Sequence, residues 1–196
     1  MAHGIRNRER PIVRVLLFRT LLLRSTAMNK PIMIWNAVAK KEYISVFDSI
    51  LKKFLEEPDG WIENKLNSCL VLSCCYQAMG ENAAAFDILF YSFTMDVPRA
   101  EICCEIGRLF MEKKEYVTAA YWYQQALLAP RKKKNGGFYI ADSHDFIPAI
   151  QMCVCLDKAG RHREAFEFHK KVRVLKPLHQ AVIGNEKYFR DVWGME

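Results

Sequence analysis

Small and bulky residues recur in phase at three places along the chain: Ser73, Tyr76, Ala85 and Leu89; Gly107, Phe110, Ala119 and Tyr123; Cys153, Leu156, Ala165 and His169. The steps of three, nine and four residues are the same each time. Ala119 follows Ala85 by one full period, and Ala165 follows Ala119 by the same period lengthened by 12. Apolar residues at three- and four-residue steps on either side of each nine-residue gap predict two helices per unit, joined by a short turn. A small side chain on the first helix (Ser73, Gly107, Cys153) and another on the second (Ala85, Ala119, Ala165) let the pair approach closely, with a bulky residue filling the space between.

The predicted turns are Met79-Gly80-Glu81, Lys113-Lys114-Glu115 and Ala159-Gly160-Arg161. Two carry the glycine expected after a helix end, and the middle one lacks it. Paired helices repeating every ~34 residues have tetratricopeptide (TPR) spacing. The expectation is therefore an all-α, TPR-type helical-hairpin solenoid of about four repeats, the first degenerate and the last preceded by a 12-residue insertion. Stacked helix pairs form a curved wall that holds something else, and none of the pattern positions carries a catalytic group.

The full units are expected at about 61–97, 98–129 and 145–177. Ahead of them, Pro31 suits the start of a helix through Ile34, Trp35, Ala37 and Val38. Lys41-Glu42-Tyr43 matches Lys114-Glu115-Tyr116, which places a second helix after it with Val46 at the alanine position. That helix runs through Phe47, Ile50, Leu51, Phe54 and Leu55 to the loop signal Glu57-Pro58-Asp59-Gly60. Residues 179–195 are expected to close the last apolar face, as arrays require.

With 196 residues, 51% of them apolar, the chain can bury a substantial core as one domain, residues 31–196, behind a basic arm at 1–30. In the arm, Arg6, Arg8, Arg10, Arg14, Arg19, Arg24 and Lys30 against Glu9 hold six of the seven net positive charges. Arg19 interrupts the apolar run Val15-Leu16-Leu17-Phe18 and Leu21-Leu22-Leu23, which leaves no stretch of the ~18 residues a membrane span needs and too short an apolar core for a signal sequence. Arg14, Arg19 and Arg24 fall about 140° apart around a helix, so they form no single polar face and membrane-surface contact is not favoured. Nucleic-acid binding would need a basic stripe or aromatic stacking positions continuing into the repeats, and neither is there. The arm reads as a connecting or packing helix.

The seven cysteines, Cys69, Cys74, Cys75, Cys103, Cys104, Cys153 and Cys155, are odd in number and include no CxxC pair. They read as buried free thiols in a reducing compartment, with a cytoplasmic location expected and neither a metal nor a cofactor implied. Side chains of the adjacent pairs diverge by about 100° on a helix, which does not suit metal ligation.

Two regions supply the candidate contact surface. Counting the second, fifth, ninth and twelfth positions of the first helices places Glu101, Cys104, Arg108 and Met111, then Ile147, Ile150, Val154 and Asp157, on the concave wall. The second region is the insertion, where Phe138, Tyr139, Asp142 and His144 follow a run of three lysines and two glycines. Such a departure from a regular array is the kind of loop that makes contacts. The basic run also suits a solvated helix end, and Asp145 or Ser143 suits the cap of the next helix with Pro148 in its first turn.

The runs Pro98-Arg99-Ala100-Glu101, Trp122-Tyr123-Gln124-Gln125-Ala126-Leu127, Gly136-Gly137-Phe138 leading to Asp145-Phe146-Ile147-Pro148, Cys153-Val154-Cys155-Leu156-Asp157-Lys158 and Asn185-Glu186-Lys187-Tyr188-Phe189 resemble the C-terminal TPR region of bacterial family-2 glycosyltransferases. The likeness covers nearly the whole chain. It implies an N-terminal nucleotide-sugar-binding domain that transfers a sugar with an aspartate pair and a divalent metal. No βαβ pattern or Asp-x-Asp strand stands before Pro31, so the resemblance carries no catalytic residue onto this sequence. The expected function is a non-catalytic TPR scaffold for protein–protein or interdomain contact. Its partner would be a glycosyltransferase catalytic domain, a second copy of the chain or another protein. The alternative is a free-standing TPR adaptor that binds an unrelated protein.

Overall fold

The computed structural model describes residues 37–131 and 139–195. Among these residues the protein is all-helical: α1 (Ala37–Glu56), α2 (Ile62–Met79), α3 (Asn82–Tyr91), α4 (Ala100–Glu112), α5 (Tyr116–Leu128), α6 (Phe146–Lys158), α7 (His162–Leu175) and α8 (Gln180–Trp193). Short 3-10 turns follow α3 at Ser92–Thr94 and precede α6 at Ala141–His144. Helices adjacent in the chain pack on each other, and the pairs α2–α3, α4–α5 and α6–α7 form three antiparallel hairpins.

The three hairpin turns have the same geometry. Gly80 N–H donates to Gln77 (2.9 Å) and Glu81 N–H to Tyr76 (2.8 Å); Lys114 to Met111 (2.9 Å) and Glu115 to Phe110 (2.9 Å); Gly160 to Asp157 (3.0 Å) and Arg161 to Leu156 (2.8 Å). Each residue preceding the second helix then adopts nearly one conformation, with φ/ψ of −87/63° at Glu81, −86/67° at Glu115 and −94/56° at Arg161. The left-handed residue has φ of 80° at Gly80 and 79° at Gly160. In the middle turn Lys114 takes it with φ of 61°, the one positive-φ non-glycine among the described residues. The hydrogen bonds that close the turn hold Lys114 there against the steric cost of its Cβ.

Packing follows the repeated pattern. Ser73, Ala85, Leu89, Gly107, Ala119, Tyr123, Cys153, Leu156, Ala165 and His169 are all buried, as is Tyr76, and Phe110 is partly so. At Gly107 the approach is closest: a Cβ built there would lie 3.0 Å from the Tyr123 ring on the facing helix. Aromatic rings join the first two hairpins, with Phe86 against Phe110 (centroids 4.8 Å apart) and Trp122 against Phe90 (5.5 Å) and Phe93 (5.9 Å). The amine of Lys113 covers the Phe86 ring at 4.8 Å.

The two ends differ from the middle. At the C-terminus α8 buries Val182 and Phe189 against the last hairpin and ends in left-handed Gly194, one unlengthened period after Gly160. It packs with Val172 and Phe166 of α7. At the N-terminus α1 runs unbroken through Lys41-Glu42-Tyr43, where a turn is expected, because Ala-Val-Ala-Lys-Lys-Glu contains no glycine or other helix breaker. Val46, expected in a tight alanine position, is 58% exposed; Leu51 and Leu55 carry the burial instead, and Asp48 accepts a hydrogen bond from Tyr76 of α2. The arm at 1–30, with the expected start of a helix at 31–36, lies outside the described residues.

Replacing Lys114 with glycine is expected to raise stability by about 0.5–1 kcal/mol, because the turn then carries no left-handed side-chain penalty. Gly160→Lys should lower it by a similar amount. Urea unfolding followed by circular dichroism checks both, with the slope against denaturant unchanged.

Candidate functional site

Residues 139–144, the described end of the expected insertion, pack back onto the helices. Ile140 N–H donates to Glu101 Oε1 on α4 (2.9 Å), and Cys104 Sγ, one helical turn further on, donates to the Ser143 carbonyl (3.5 Å). Arg131, just beyond α5, donates to the His144 carbonyl (3.1 Å) and lies 3.5 Å from the Asp145 carboxylate. Lys176, just beyond α7, pairs with Asp142 at 2.5 Å. His144 stacks on Tyr139 with centroids 4.8 Å apart, and its Nε2 is 3.9 Å from Glu101 Oε1. Ser143 and His144 are consequently buried, His144 to 4% exposure, and His144 Nδ1 has no hydrogen-bond partner. Asp145 caps α6 by accepting from Phe146 N–H (2.6 Å), and Pro148 is buried in that first turn.

Of the residues expected on the wall, Glu101 and Cys104 therefore face the protein's own insertion. Arg108 sits further along α4, donating to Glu105 (2.6 and 3.0 Å), Glu112 and Gln77 of α2. Gln77 in turn donates to Glu105 (2.9 Å) and Ser73 (3.1 Å), so the cation is held inside a network bridging two hairpins. Met111 is half-buried, its Sδ 3.0 Å from Cys155 Sγ on α6. Ile150 is buried with Phe146, Val172 and Val182, whereas Ile147 and Val154 remain half-buried. Asp157 is engaged by His162 Nδ1 (2.8 Å) and by the Tyr188 hydroxyl (2.9 Å), and Trp193 stacks on His162 at 3.8 Å. Tyr139 stays at the surface, and Phe138 lies outside the described residues.

A second charged group, not singled out from the sequence, sits beside Glu101. Arg99 donates to Glu63 (2.5 Å) and to Asp96 (2.7 Å), all three largely withdrawn from water. With Leu66, Leu70 and Ile140 it bounds a cavity of about 20 Å³, room for no more than a water-sized group. The Glu63–Arg99 pair spans α2 and the residue preceding α4, a long-range contact that local spacing does not announce.

None of the seven cysteines is in a disulfide; six are buried and Cys74 is half-buried. Burial pushes the thiols of Cys69, Cys75, Cys103, Cys153 and Cys155 up to about 12, so they stay protonated at neutral pH and are poor nucleophiles. Among the described residues no group of three or more His, Cys, Asp or Glu is arranged to hold a metal ion, and no helix is long and apolar enough to cross a membrane.

His169 is completely buried between Phe166 and Phe189, and neither ring nitrogen has a hydrogen-bond partner. Desolvation holds it below its ordinary value near 6.5, partly offset by the Glu186 carboxylate and reinforced by Arg173. It occupies the position filled by Leu89 and Tyr123 in the other hairpins, where the array needs bulk and no charge.

Neither the protein-family models nor the curated proteins contain a match to this chain.

The depressed His169 sets a pH dependence. The unfolded chain takes up a proton near pH 6.5 before the folded one does, so stability falls as pH drops below that value, by at most about 1.4 kcal/mol per pH unit. His169→Leu, copying Leu89, is expected to match or exceed the parent at pH 7.5 and to widen its advantage at pH 5.5. Paired urea titrations at the two pH values check this.

Proposed function

We propose that this chain is a non-catalytic TPR scaffold for protein–protein or interdomain contact, akin to the C-terminal module of a family-2 glycosyltransferase. The observation that carries the reading is the recurrence of one hairpin turn, with the same two hydrogen bonds, at Gly80, Lys114 and Gly160. The intervals between those turns, one period and then the lengthened one, repeat the spacing of the small and bulky residues. A further left-handed glycine one period on, at Gly194, extends the series into α8. Four TPR-type units, the first incomplete, followed by α8 as a closing helix, account for this arrangement.

One feature supports contact with another protein or domain. The half-buried apolar side chains Met111, Ile147 and Val154 along one side of α4 and α6 suit another protein or domain better than a small polar substrate. Seven cysteines with no disulfide among them suit a reducing, cytoplasmic setting.

The test is site-specific photo-crosslinking of the full chain in its native cells, with a benzophenone amino acid at position 111 or 154 and a control at exposed Val117 on α5. The scaffold reading predicts one discrete protein adduct from positions 111 and 154 and none from 117. Identification of the adduct as a glycosyltransferase domain, or as an unrelated protein, separates interdomain module from free-standing adaptor. Crosslinking at the wall no greater than at position 117 would contradict the reading.

A further inference from the structure

The surface that Tyr139–His144 covers holds that segment through its backbone and two of its side chains. Three of the contacts that hold the segment reach its backbone and come from side chains of the array: Glu101 takes the Ile140 N–H, Cys104 takes the Ser143 carbonyl and Arg131 takes the His144 carbonyl. Such contacts are made irrespective of the side chains the segment carries, and they give affinity without sequence preference. Preference comes from two others. Lys176 faces the Asp142 carboxylate, and the Glu101 carboxylate faces the His144 imidazole. Glu101 thus serves twice, as backbone acceptor and as the carboxylate facing the imidazole. The donors and acceptors stand on α4 and just beyond the ends of α5 and α7, three places that the hairpin packing brings together.

We propose that residues 139–144 act as a built-in ligand of this surface, and that the surface accepts in trans a short segment of the same chemistry. That chemistry is a free backbone N–H opposite Glu101, a carboxylate two residues later for Lys176, and an imidazole or cationic side chain two residues after that. The inference rests on the scaffold reading and adds to it the kind of partner taken and the reason the site is closed at rest. A tethered segment is present at an effective concentration in the millimolar range, so an outside peptide competes poorly until the tethered one leaves.

The experiment uses the full chain with residues 139–144 replaced by an equal length of Gly and Ser, Asp145 being kept as the α6 cap. The probe is the acetylated, amidated peptide Tyr-Ile-Ala-Asp-Ser-His, titrated into the isotope-labelled protein and followed by NMR. Saturable shifts at residues 101–104 and 173–176 are expected for the emptied chain, with affinity at least tenfold weaker for the intact chain. Glu101→Ala in the emptied chain should weaken binding about tenfold or more, as loss of a hydrogen bond to a charged group does. Lys176→Glu should weaken it too, and a peptide with lysine for Asp142 should recover the loss. No saturable shift on a folded emptied chain, or equal affinity for the intact chain, overturns the proposal. If that result comes while positions 111 and 154 still crosslink a partner, this inference alone fails; loss of both removes the scaffold reading as well. Should the emptied chain not fold, amide exchange at Ile140 in the intact chain decides: about tenfold faster exchange in Glu101→Ala supports the proposal, and unchanged exchange overturns it.

Discussion

The close approach of the two helices within each hairpin is the constraint on which the other features depend. Where Tyr123 crosses α4 the space is tightest, and Gly107 stands there; a single carbon at that place would lie 3.0 Å from the ring. Where the facing residue is smaller, the first helix carries more, as in Ser73 with Leu89 and Cys153 with His169. The alanines Ala85, Ala119 and Ala165, each without solvent exposure, set the same spacing from the second helix. The left-handed turn follows from it, because helices this close leave only a few residues for the reversal, and all three turns solve the problem with the same pair of hydrogen bonds.

Fixing the hairpins fixes what they present. The charged groups on the α4 side are engaged within the protein: Arg99 with Glu63 and Asp96, Arg108 with Glu105, Glu112 and Gln77, Glu101 with the insertion. Of the ion pairs among them, Arg99–Glu63 joins two hairpins and acts as a register pin more than as a source of stability, since a buried pair recovers little beyond its desolvation cost. Beside these groups Met111, Ile147 and Val154 stay half-buried on α4 and α6, and the proposed contact rests on them.

Much of this is legible in the sequence. The three-, nine- and four-residue steps locate the hairpins, the glycines locate two turns, and the 12-residue excess locates the insertion, all because local spacing determines helix faces. The degenerate first unit departs from expectation at Val46, since a match to Lys114-Glu115-Tyr116 is too short to show that the alanine-rich stretch before it continues the helix. The position of His144 is not legible either. Its burial depends on Glu101, far earlier in the chain, and on Arg131 and Lys176, which the fold brings together from three elements. Counting positions puts Ile150 on the wall, whereas α8 covers that part of α6 and Ile150 packs with Val182. Closing elements cancel surface predictions that treat every unit as internal.

A double-mutant cycle on Gly107 and Tyr123 tests the packing constraint most directly. Gly107→Ala is measured in the parent and in Tyr123→Leu, with Leu copied from position 89; taking the difference cancels the better helix propensity of alanine. The account predicts a coupling of about 1 kcal/mol or more, with the added methyl harmful against tyrosine and relieved against leucine. Additive effects would mean that the helices do not meet at this distance, and the shared origin of turn, small residue and wall would be lost.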